Sequence, residues 1–363
     1  MAETRFSDVL EIKNGRNQSE VEAPEGVYPI YGSGGIMGRA NSFICPANTV
    51  VIGRKGSINK PIFVEEPFWN VDTAFGLVAD ETRLLPRYLY YFCVYYDFEK
   101  LNTTVTIPSL TKANLLKIEI NLPDISTQQR IVETLNHIEH IIQARQRQLR
   151  TLDTIIKARF VEMFGAFPEN PIGWKTGTIR DVVSDVRYGS SRPAVDGGRY
   201  PYLRMNNITY GGELDLTDTK RIDVPENELE KCTVRRGDVL FNRTNSKELV
   251  GKTCVYNRDE MMVLAGFVIR VRLNDQMLPE FLSAFLNTDF SKTMLLGMCK
   301  TAIGQANINA QEMQGIQIYI PPIEQQEEFV RFKVQVEKSK RAIQASLDKA
   351  QLLFDSLMQQ YFG

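Results

Sequence analysis

The chain has 363 residues, of which 43% are hydrophobic, as in an ordinary globular protein with two or three domains. Its 43 lysines and arginines nearly balance 44 aspartates and glutamates, so the net charge of −1 argues neither for nor against a nucleic-acid partner. No apolar run could cross a bilayer, no signal segment is evident, and the five cysteines are scattered. These features favour a cytoplasmic protein with reduced thiols.

Residues 1–122 contain short apolar runs separated by turns rich in glycine, asparagine and proline. The runs TVVIG, PIFV and AFGLVA have the β-branched and aromatic content that is typical of strands. We therefore predict a mixed α/β domain with many short strands. The run GSGGIMG at 32–38 lacks the spacing of a dinucleotide-binding loop and is interpreted as a turn.

Residues 123–165 are predicted to form one long helix. Ser126 and Gln129 have the spacing of a capping box, and Gly165 stands where a left-handed residue ends a helix. A helix from Ser126 to Phe164 would be about 58 Å long at 1.5 Å per residue. Residues 166–170 belong to a short linker rich in proline and glycine.

The second half of the chain follows the same order. Residues 171–321 contain the strand-like runs DVLFN, KTCVY and FVIRVRL, which predict a second α/β domain. Residues 322–363 contain a second long helical pattern, and glutamates fill its first turn, where the helix dipole favours acidic groups.

The two halves are copies of one unit. Shifting the sequence by 198 positions places Gln128 on Gln326 and the phrase VEMFG on the final phrase QQYFG without a gap. Upstream, LLPRYLYYFCVYYDF at 84–98 matches MLPEFLSAFLNTDF at 277–290. The chain is therefore a tandem duplication of a globular part followed by a long helix.

Apolar residues recur in both helices at alternating steps of three and four, the period of a coiled coil. One such helix is unstable alone, so we predict that the two copies pack on each other, most simply antiparallel. The stripe is interrupted by Arg145, Arg159, Lys333 and Lys340. The apolar positions of the predicted seam are Ile131, Leu135, Ile138, Ile142, Leu149, Leu152, Ile156, Phe329, Val336, Ile343, Leu347, Phe354 and Leu357.

The predicted fold class is thus α+β. Two tandem α/β domains are joined by two long helices that form an antiparallel coiled coil, and the duplication implies an internal pseudo-two-fold repeat.

Basic residues cluster in loops at equivalent places of the two copies. IGRKGSINK at 52–60 and FNRTNSKELVGK at 241–252 mix arginine and lysine with asparagine and serine, and YPYLRMNNITYGG at 200–212 adds aromatics. Such side chains can bind phosphates or base edges, although loops of this composition are common elsewhere. The candidate DNA-contacting residues are Arg54, Lys55, Asn59, Lys60, Arg204, Asn206, Asn207, Arg243, Asn245, Lys247 and Lys252.

The catalytic motifs in the sequence are incomplete. SKELVGKT at 246–253 ends like a phosphate-binding loop, but it lacks the first glycine and runs into a strand-like segment. His137 and His140 lie three apart on the first long helix, where a solvated face explains them better than a metal site. With no Asn/Asp-Pro-Pro-aromatic loop and no nucleophile–base pair, we predict no catalytic residue and no metal site in this chain.

One copy ends with LPDISTQQRIV…VEMFG and the other with IPPIEQQEEFV…QQYFG. This order of segments resembles that of the specificity (S) subunit of Type I restriction–modification systems. The resemblance covers essentially the whole chain. Its most specific parts are the helix openings with paired glutamines, the Phe-Gly endings and the duplication. The phrases TVTIPSLTKANLLKIEINLP (104–123) and AIGQANINAQEMQGIQIYIP (302–321) are also similar to that family.

The resemblance implies a non-catalytic DNA-binding subunit that needs no cofactor of its own. Residues 1–122 and 171–321 would be target recognition domains, each reading one half of a bipartite target. The conserved helices would set the spacing and dock two modification (methyltransferase) subunits. Those subunits would use S-adenosylmethionine to methylate adenine N6, and restriction (helicase–nuclease) subunits would add cleavage dependent on ATP and Mg. The setting would be bacterial defence in the cytoplasm, with no membrane partner.

Two other classes of function stay open at this point. A coiled-coil scaffold with two globular arms that bind protein or glycan is compatible with the duplication. An enzyme that uses the Gly-Lys-Thr loop would reveal itself by nucleotide binding to the isolated chain.

Overall fold

The computed structural model describes residues 3–102, 109–302 and 305–363. The chain divides into two compact units, Met1–Gln146 with Gln344–Gly363, and Arg147–Ile343. Each long helix therefore contributes one part to each unit. Positions 104–108 and 303–304 of the two family-like phrases lie outside the described residues. The domain bounds drawn from the sequence repeat stay a prediction.

The first unit holds small sheets and short helices around one large apolar core and two smaller apolar clusters. Strands β2, β8, β5 and β6 form an antiparallel sheet in that order, β3 pairs with β4 and β7, and β1 pairs with β9. Two 3₁₀ helices lie at Phe6–Asp8 and Phe98–Leu101. The elements are β1 (Glu3–Arg5), β2 (Leu10–Asn14), β3 (Tyr28–Gly32), β4 (Gly35–Ala40), β5 (Thr49–Gly53), β6 (Ile62–Val64), β7 (Trp69–Asn70), β8 (Ala74–Ala79), α1 (Pro86–Tyr95), α2 (Lys112–Leu115), β9 (Glu119–Asn121) and α3 (Ile125–Phe164), of which α3 continues into the second unit.

The second unit repeats this plan with additions. It includes a 3₁₀ helix at Met205–Asn207. Its strands and helices are β10 (Thr176–Thr178), α4 (Ile179–Val182), β11 (Val183–Tyr188), β12 (Tyr200–Leu203), β13 (Lys220–Ile222), α5 (Glu226–Cys232), β14 (Thr233–Val234), β15 (Val239–Asn242), β16 (Thr244–Asn245), β17 (Thr253–Val255), β18 (Met262–Leu264), β19 (Val268–Leu273), α6 (Pro279–Leu286), α7 (Asp289–Met298), β20 (Lys300–Ala302), β21 (Gln305–Asn307), α8 (Ala310–Gln314), β22 (Gln317–Tyr319) and α9 (Ile323–Phe362), of which α9 continues into the first unit.

Sheet topology confirms the duplication. The order β11-β19-β15-β17 matches β2-β8-β5-β6, and both sheets are antiparallel throughout. In each copy a short strand pairs in parallel with a strand that begins with Tyr-Pro, β7 with β3 and β18 with β12. The runs TVVIG, PIFV, AFGLVA, DVLFN, KTCVY and FVIRVRL contain β5, β6, β8, β15, β17 and β19, so the predicted strands are confirmed. GSGGIMG supplies the end of β3, the turn at 33–34 and the first four residues of β4, so the interpreted turn is confirmed only at 33–34.

The start of α3 differs from the sequence-based expectation. The helix begins at Ile125, and the carboxylate of Asp124 accepts hydrogen bonds from the Thr127 N–H at 2.9 Å and from the Ser126 hydroxyl at 2.6 Å. These hydrogen bonds, that from Ser126 first, lower the pKa of Asp124 to about 2. The predicted capping box of Ser126 and Gln129 is therefore wrong, because the carboxylate two positions earlier already caps the first turn.

A buried glutamine ties the start of α3 to the first globular part. The Gln128 side chain is fully buried, and its oxygen accepts a hydrogen bond from the Leu85 N–H at 2.8 Å. Its amide nitrogen donates to the carbonyls of Arg83 at 2.8 Å and Pro123 at 2.9 Å. One side chain thus pairs a free N–H at the beginning of α1 and two carbonyls that no helix or strand satisfies.

Gln326 makes the same set of contacts at the start of α9. It is also fully buried, and its oxygen accepts from the Leu278 N–H at 2.8 Å. Its nitrogen donates to the carbonyls of Gln276 at 2.9 Å and Pro321 at 2.8 Å. The glutamine that aligns between the two sequence copies therefore has one structural role in both.

The repeated Phe-Gly phrase packs the end of each long helix onto a short helix. In the second unit, the Phe164 ring lies 4.8 Å from that of Phe281 on α6. In the first unit, the Phe362 ring lies 5.1 Å from that of Tyr88, the equivalent position of α1. Gly165 has a φ of 81°, so the predicted left-handed helix end is confirmed.

The two long helices run antiparallel within each unit. In the second unit, the Phe160 ring of α3 lies 5.2 Å from the Phe329 ring of α9, and the Asp153 carboxylate lies 2.7 Å from the Lys340 ammonium. Residue numbers decrease along α3 from the first contact to the second and increase along α9, so the two helices run in opposite directions. In the first unit, the start of α3 and the end of α9 share one core. Every position of the predicted seam is buried or half-buried.

The glutamine contacts predict a local effect of Gln326→Leu. The substitution leaves the Leu278 N–H and two carbonyls buried without partners, which should cost about 2 kcal/mol. Hydrogen exchange measured by mass spectrometry should show the Leu278 amide exchanging at least about tenfold faster. The Leu85 amide, held by Gln128, is the internal control and should be unchanged. An unchanged Leu278 amide would contradict the role given to Gln326.

Candidate nucleic-acid interface

Arg54 and Arg243 occupy equivalent positions directly after the central strands β5 and β15. The carbonyl of Arg54 accepts from the Leu110 N–H at 2.9 Å, and that of Arg243 accepts from the Ile308 N–H at 2.9 Å. These matched backbone contacts hold the two basic loops in the same way. The loops that the sequence placed in register are therefore in register in the structure.

The Arg243 side chain is held more firmly than that of Arg54. Its guanidinium lies 4.8 Å from the Tyr188 ring and donates to Asn307 Oδ1 at 3.4 Å. The Arg54 guanidinium lies 5.7 Å from the Phe75 ring. Stacking on an aromatic face restricts a guanidinium while leaving its edge able to donate hydrogen bonds. Both arginines are half-buried, as expected of side chains that are positioned rather than freely solvated.

The other candidates of the first copy lie at the surface. Lys55, Asn59 and Lys60 are all exposed. The Asn59 side chain nevertheless has partners, because it donates to Asp97 Oδ1 at 2.9 Å and accepts from the Phe98 N–H at 2.7 Å. The two lysines are the residues of this group whose chemistry best suits phosphate contact.

In the loop at 200–212, Asn206 is exposed, whereas Asn207 is buried and organises the turn. Asn207 accepts from the Arg204 N–H at 2.8 Å and donates to the carbonyl of Asp218 at 3.1 Å. Arg204 forms an ion pair with Asp218 at 2.8 Å. The amide and guanidinium groups that suggested base contacts here form hydrogen bonds and an ion pair within the loop.

In the loop at 241–252, Lys247 is exposed and Asn245 is half-buried. The Asn245 amide donates to Asn242 Oδ1 at 2.9 Å. Lys252 is 6% exposed, and its ammonium donates to the Met205 carbonyl at 2.9 Å, which joins this loop to the loop at 200–212. Burial lowers the pKa of Lys252.

The Gly-Lys-Thr phrase does not have the geometry of a phosphate-binding loop. Thr253 begins strand β17 and not a helix, so no helix N-terminus is available to a phosphate there. His137 and His140 are exposed on α3. Across residues 3–102, 109–302 and 305–363, no group of three or more His, Cys, Asp or Glu side chains is arranged to hold a metal ion.

Phe267 is a surface residue that the sequence reasoning missed. Its side chain is 51% exposed, and its carbonyl accepts from the Arg243 N–H at 3.0 Å. The run FVIRVRL was interpreted as a strand, but β19 starts at Val268, so Phe267 lies at the preceding turn. Thr73 occupies the equivalent place in the first copy, where its carbonyl accepts from the Arg54 N–H at 2.8 Å. In the sequence, the replacement of Thr73 by Phe267 at equivalent positions of the two copies is the feature that could have pointed to this residue.

The structure is that of a duplicated binding protein. It has two globular copies with matched basic loops, here called heads, and each head is attached to one of the two paired long helices. The family model described as "Type I restriction modification DNA specificity domain" matches residues 1–152 and 171–349. The chain belongs to this family.

Curated relatives carry the corresponding names. The Type I restriction enzyme EcoKI specificity subunit of Escherichia coli K12 is 23% identical over 312 residues, which cover 79% of this chain and 67% of the relative. The StySPI specificity subunit of Salmonella potsdam is 22% identical over 339 residues, which cover 87% of this chain and 73% of the relative.

Solved structures share the fold. The Type I restriction–modification S subunit of M. genitalium superposes with a TM-score of 0.62 at 14% identity, over 100% of this chain and 96% of that one. A chain from a study of assembly and conformational transition of the Type I system gives 0.57 at 16% identity, over 99% and 97%. No helix among the residues that the structure describes is long and apolar enough to span a membrane.

The two lysines of the loop at 241–252 should differ in a stability test. Lys252→Ala removes a buried stem and leaves the Met205 carbonyl without its donor, so we expect a loss of about 1–2 kcal/mol in the free energy of unfolding. Lys247→Ala is the matched control, because an exposed substitution should change it by less than about 0.5 kcal/mol. Urea unfolding followed by circular dichroism measures both. Equal effects of the two substitutions would contradict the different burial of the two lysines.

Proposed function

We propose that this chain reads a bipartite duplex DNA sequence, with each globular copy contacting one half of the target. The observation that carries the proposal is the equivalence of Arg54 and Arg243. Both follow the central strand of their sheet, both are anchored by the same backbone hydrogen bonds, and both lie beside an aromatic ring. Duplicated arginines of this kind suit two similar contacts to two separate stretches of DNA.

The paired helices would set the distance between the half-sites. Helix α3 has 40 residues, which corresponds to about 60 Å, or about 18 base pairs of B-DNA. A separation of this order exceeds one helical turn of DNA, so two heads could contact separate major-groove segments. Family membership favours this function over a scaffold that binds protein or glycan.

The chemistry would be supplied by partner subunits in the cytoplasm. We propose two methyltransferase subunits that bind S-adenosylmethionine and methylate adenine N6, docked on the paired helices. Restriction subunits with ATP and Mg would add cleavage where they are present. The incomplete catalytic motifs of this chain and the names of its relatives support that division of labour.

The proposal is tested by mapping methylated adenines in cells that express the chain with its methyltransferase partner. Arg54→Ala should relax one position in one half of the methylated sequence, and Arg243→Ala should relax one position in the other half. A lost base contact should cost about 1–3 kcal/mol, or about 5- to 150-fold in discrimination. Single-molecule sequencing of modified bases provides the measurement.

Lys349→Ala, an exposed substitution on α9, is the control and should leave the methylated sequence unchanged. If both arginine variants keep the original sequence and the original occupancy, neither arginine contacts DNA. If both variants relax the same half-site, the assignment of one head to each half is wrong.

A further inference from the structure

A cavity of about 210 Å³ opens in the second unit between its parts of the long helices and helices α6 and α7. Its apolar wall includes Ile156 and Phe160 of α3 and Ala284 of α6, and Glu337 of α9 lines the other side. An engineered apolar cavity of about 150 Å³ is large enough to bind benzene. The space in this unit is therefore sufficient for a substituted benzene ring.

The first unit fills the equivalent place with its own side chains. Tyr91 of α1, aligned with Ala284, is fully buried there, and its ring lies 6.1 Å from that of Phe354, which aligns with Ile156. Where the first copy has two aromatic rings, the second copy has a methyl group and an aliphatic chain. The cavity thus corresponds to the volume of side chains that the second copy lacks.

One of the two hydrogen-bond acceptors for the missing ring is retained. In the first unit, the Tyr91 hydroxyl lies 2.7 Å from Asn136 Oδ1 and 2.9 Å from Glu139 Oε2, and either oxygen can accept its hydrogen. Asn136 aligns with Val334, so the second copy lacks that acceptor. Glu139 aligns with Glu337, which lines the cavity and lies 3.7 Å from Lys333. The second copy therefore keeps a carboxylate, Glu337, at the position of Glu139. It has no phenol at the position of Tyr91.

Asn287, which also lines the cavity, has an acceptor that lacks a donor. Asn287 Oδ1 is buried and has no hydrogen-bond partner among the described residues, whereas the amide nitrogen of Asn287 donates to the carbonyls of Thr253 and Ser283. A buried acceptor without a donor costs free energy, and a ligand hydroxyl that reached it would remove that cost.

Two further lysines at the cavity form ion pairs, whereas Lys292 donates to the carbonyl of Tyr210 at 3.0 Å and lies 4.1 Å from the centre of the Tyr210 ring. Lys340 contacts both Asp153 and Glu213, and Lys157 contacts Asp289 at 2.6 Å. A charged ligand at Lys157 or Lys340 would have to compete with these ion pairs, whereas a neutral hydrogen-bond donor would not. A phenol stays neutral near pH 7 because its hydroxyl has a pKa near 10.

We propose that this cavity binds a small neutral phenol, with the ring between Ile156 and Ala284 and the hydroxyl donating to Glu337. The ligand would occupy the place that Tyr91 fills in the first copy. Nothing in this proposal depends on DNA recognition, so it stands or falls separately from the proposed function.

The test uses p-cresol, the side-chain analogue of tyrosine, and the purified full-length chain in isothermal titration calorimetry. We expect saturable binding of one p-cresol per chain. Toluene has the same ring and no hydroxyl, and should bind about ten- to a hundredfold more weakly because it makes no hydrogen bond to a carboxylate. Ala284→Tyr restores the residue of the first copy and should abolish binding while the variant stays folded, as judged by circular dichroism.

Ile156→Phe, the residue found at position 354, fills the cavity from α3 and gives a second variant if Ala284→Tyr does not fold. Glu337→Ala should bring p-cresol down to the affinity of toluene. Three results would overturn the proposal: no saturable binding of p-cresol, unchanged binding by the folded cavity-filling variant, or tighter binding of benzoate than of p-cresol. The last result would indicate an anion site at the cavity lysines.

Discussion

One amide side chain at the start of each long helix connects the helix to its globular part. Gln128 and Gln326 are fully buried, and each joins an N–H at the beginning of a short helix to two carbonyls on separate segments. Removing such a side chain leaves several backbone groups buried without partners, which is far more costly than losing a surface contact. These buried hydrogen bonds therefore help to fix the direction in which each long helix leaves its globular part.

The same constraint explains why the chain contains one helix-ending phrase twice. Each unit holds the beginning of one long helix, anchored by glutamine, and the end of the other, packed through the phenylalanine of its Phe-Gly phrase. Within a unit the two helix parts can only pair antiparallel. The apolar residues of one helix then pack on those of the other, and neither helix has to be stable alone.

Local and periodic features were predictable from the sequence, and side-chain placement was not. The strand runs and the helix end at Gly165 depend on local composition, so they were predicted correctly. The cap of α3 was assigned to Ser126 because the capping-box spacing fits, although Asp124 is a stronger acceptor. Lys252 is buried against a loop distant in sequence, and Asn207 is buried in the turn that it forms with Arg204 and Asp218. The composition of these loops reports neither burial. The interruptions of the seam at Lys333 and Lys340 were visible, but only the structure shows the cavity beside them.

The two copies show how a duplicated scaffold can keep its framework while its surfaces diverge. Backbone contacts at Arg54 and Arg243 are the same, whereas Thr73 and Phe267 beside them differ. The central claim is the antiparallel pairing of the helices, and thiol crosslinking tests it most directly. With cysteines at positions 153 and 340, where Asp153 and Lys340 form an ion pair, a short bismaleimide should crosslink the chain efficiently. Efficient crosslinking between positions 153 and 351 instead, which align in the two sequence copies, would mean parallel helices and would contradict the account.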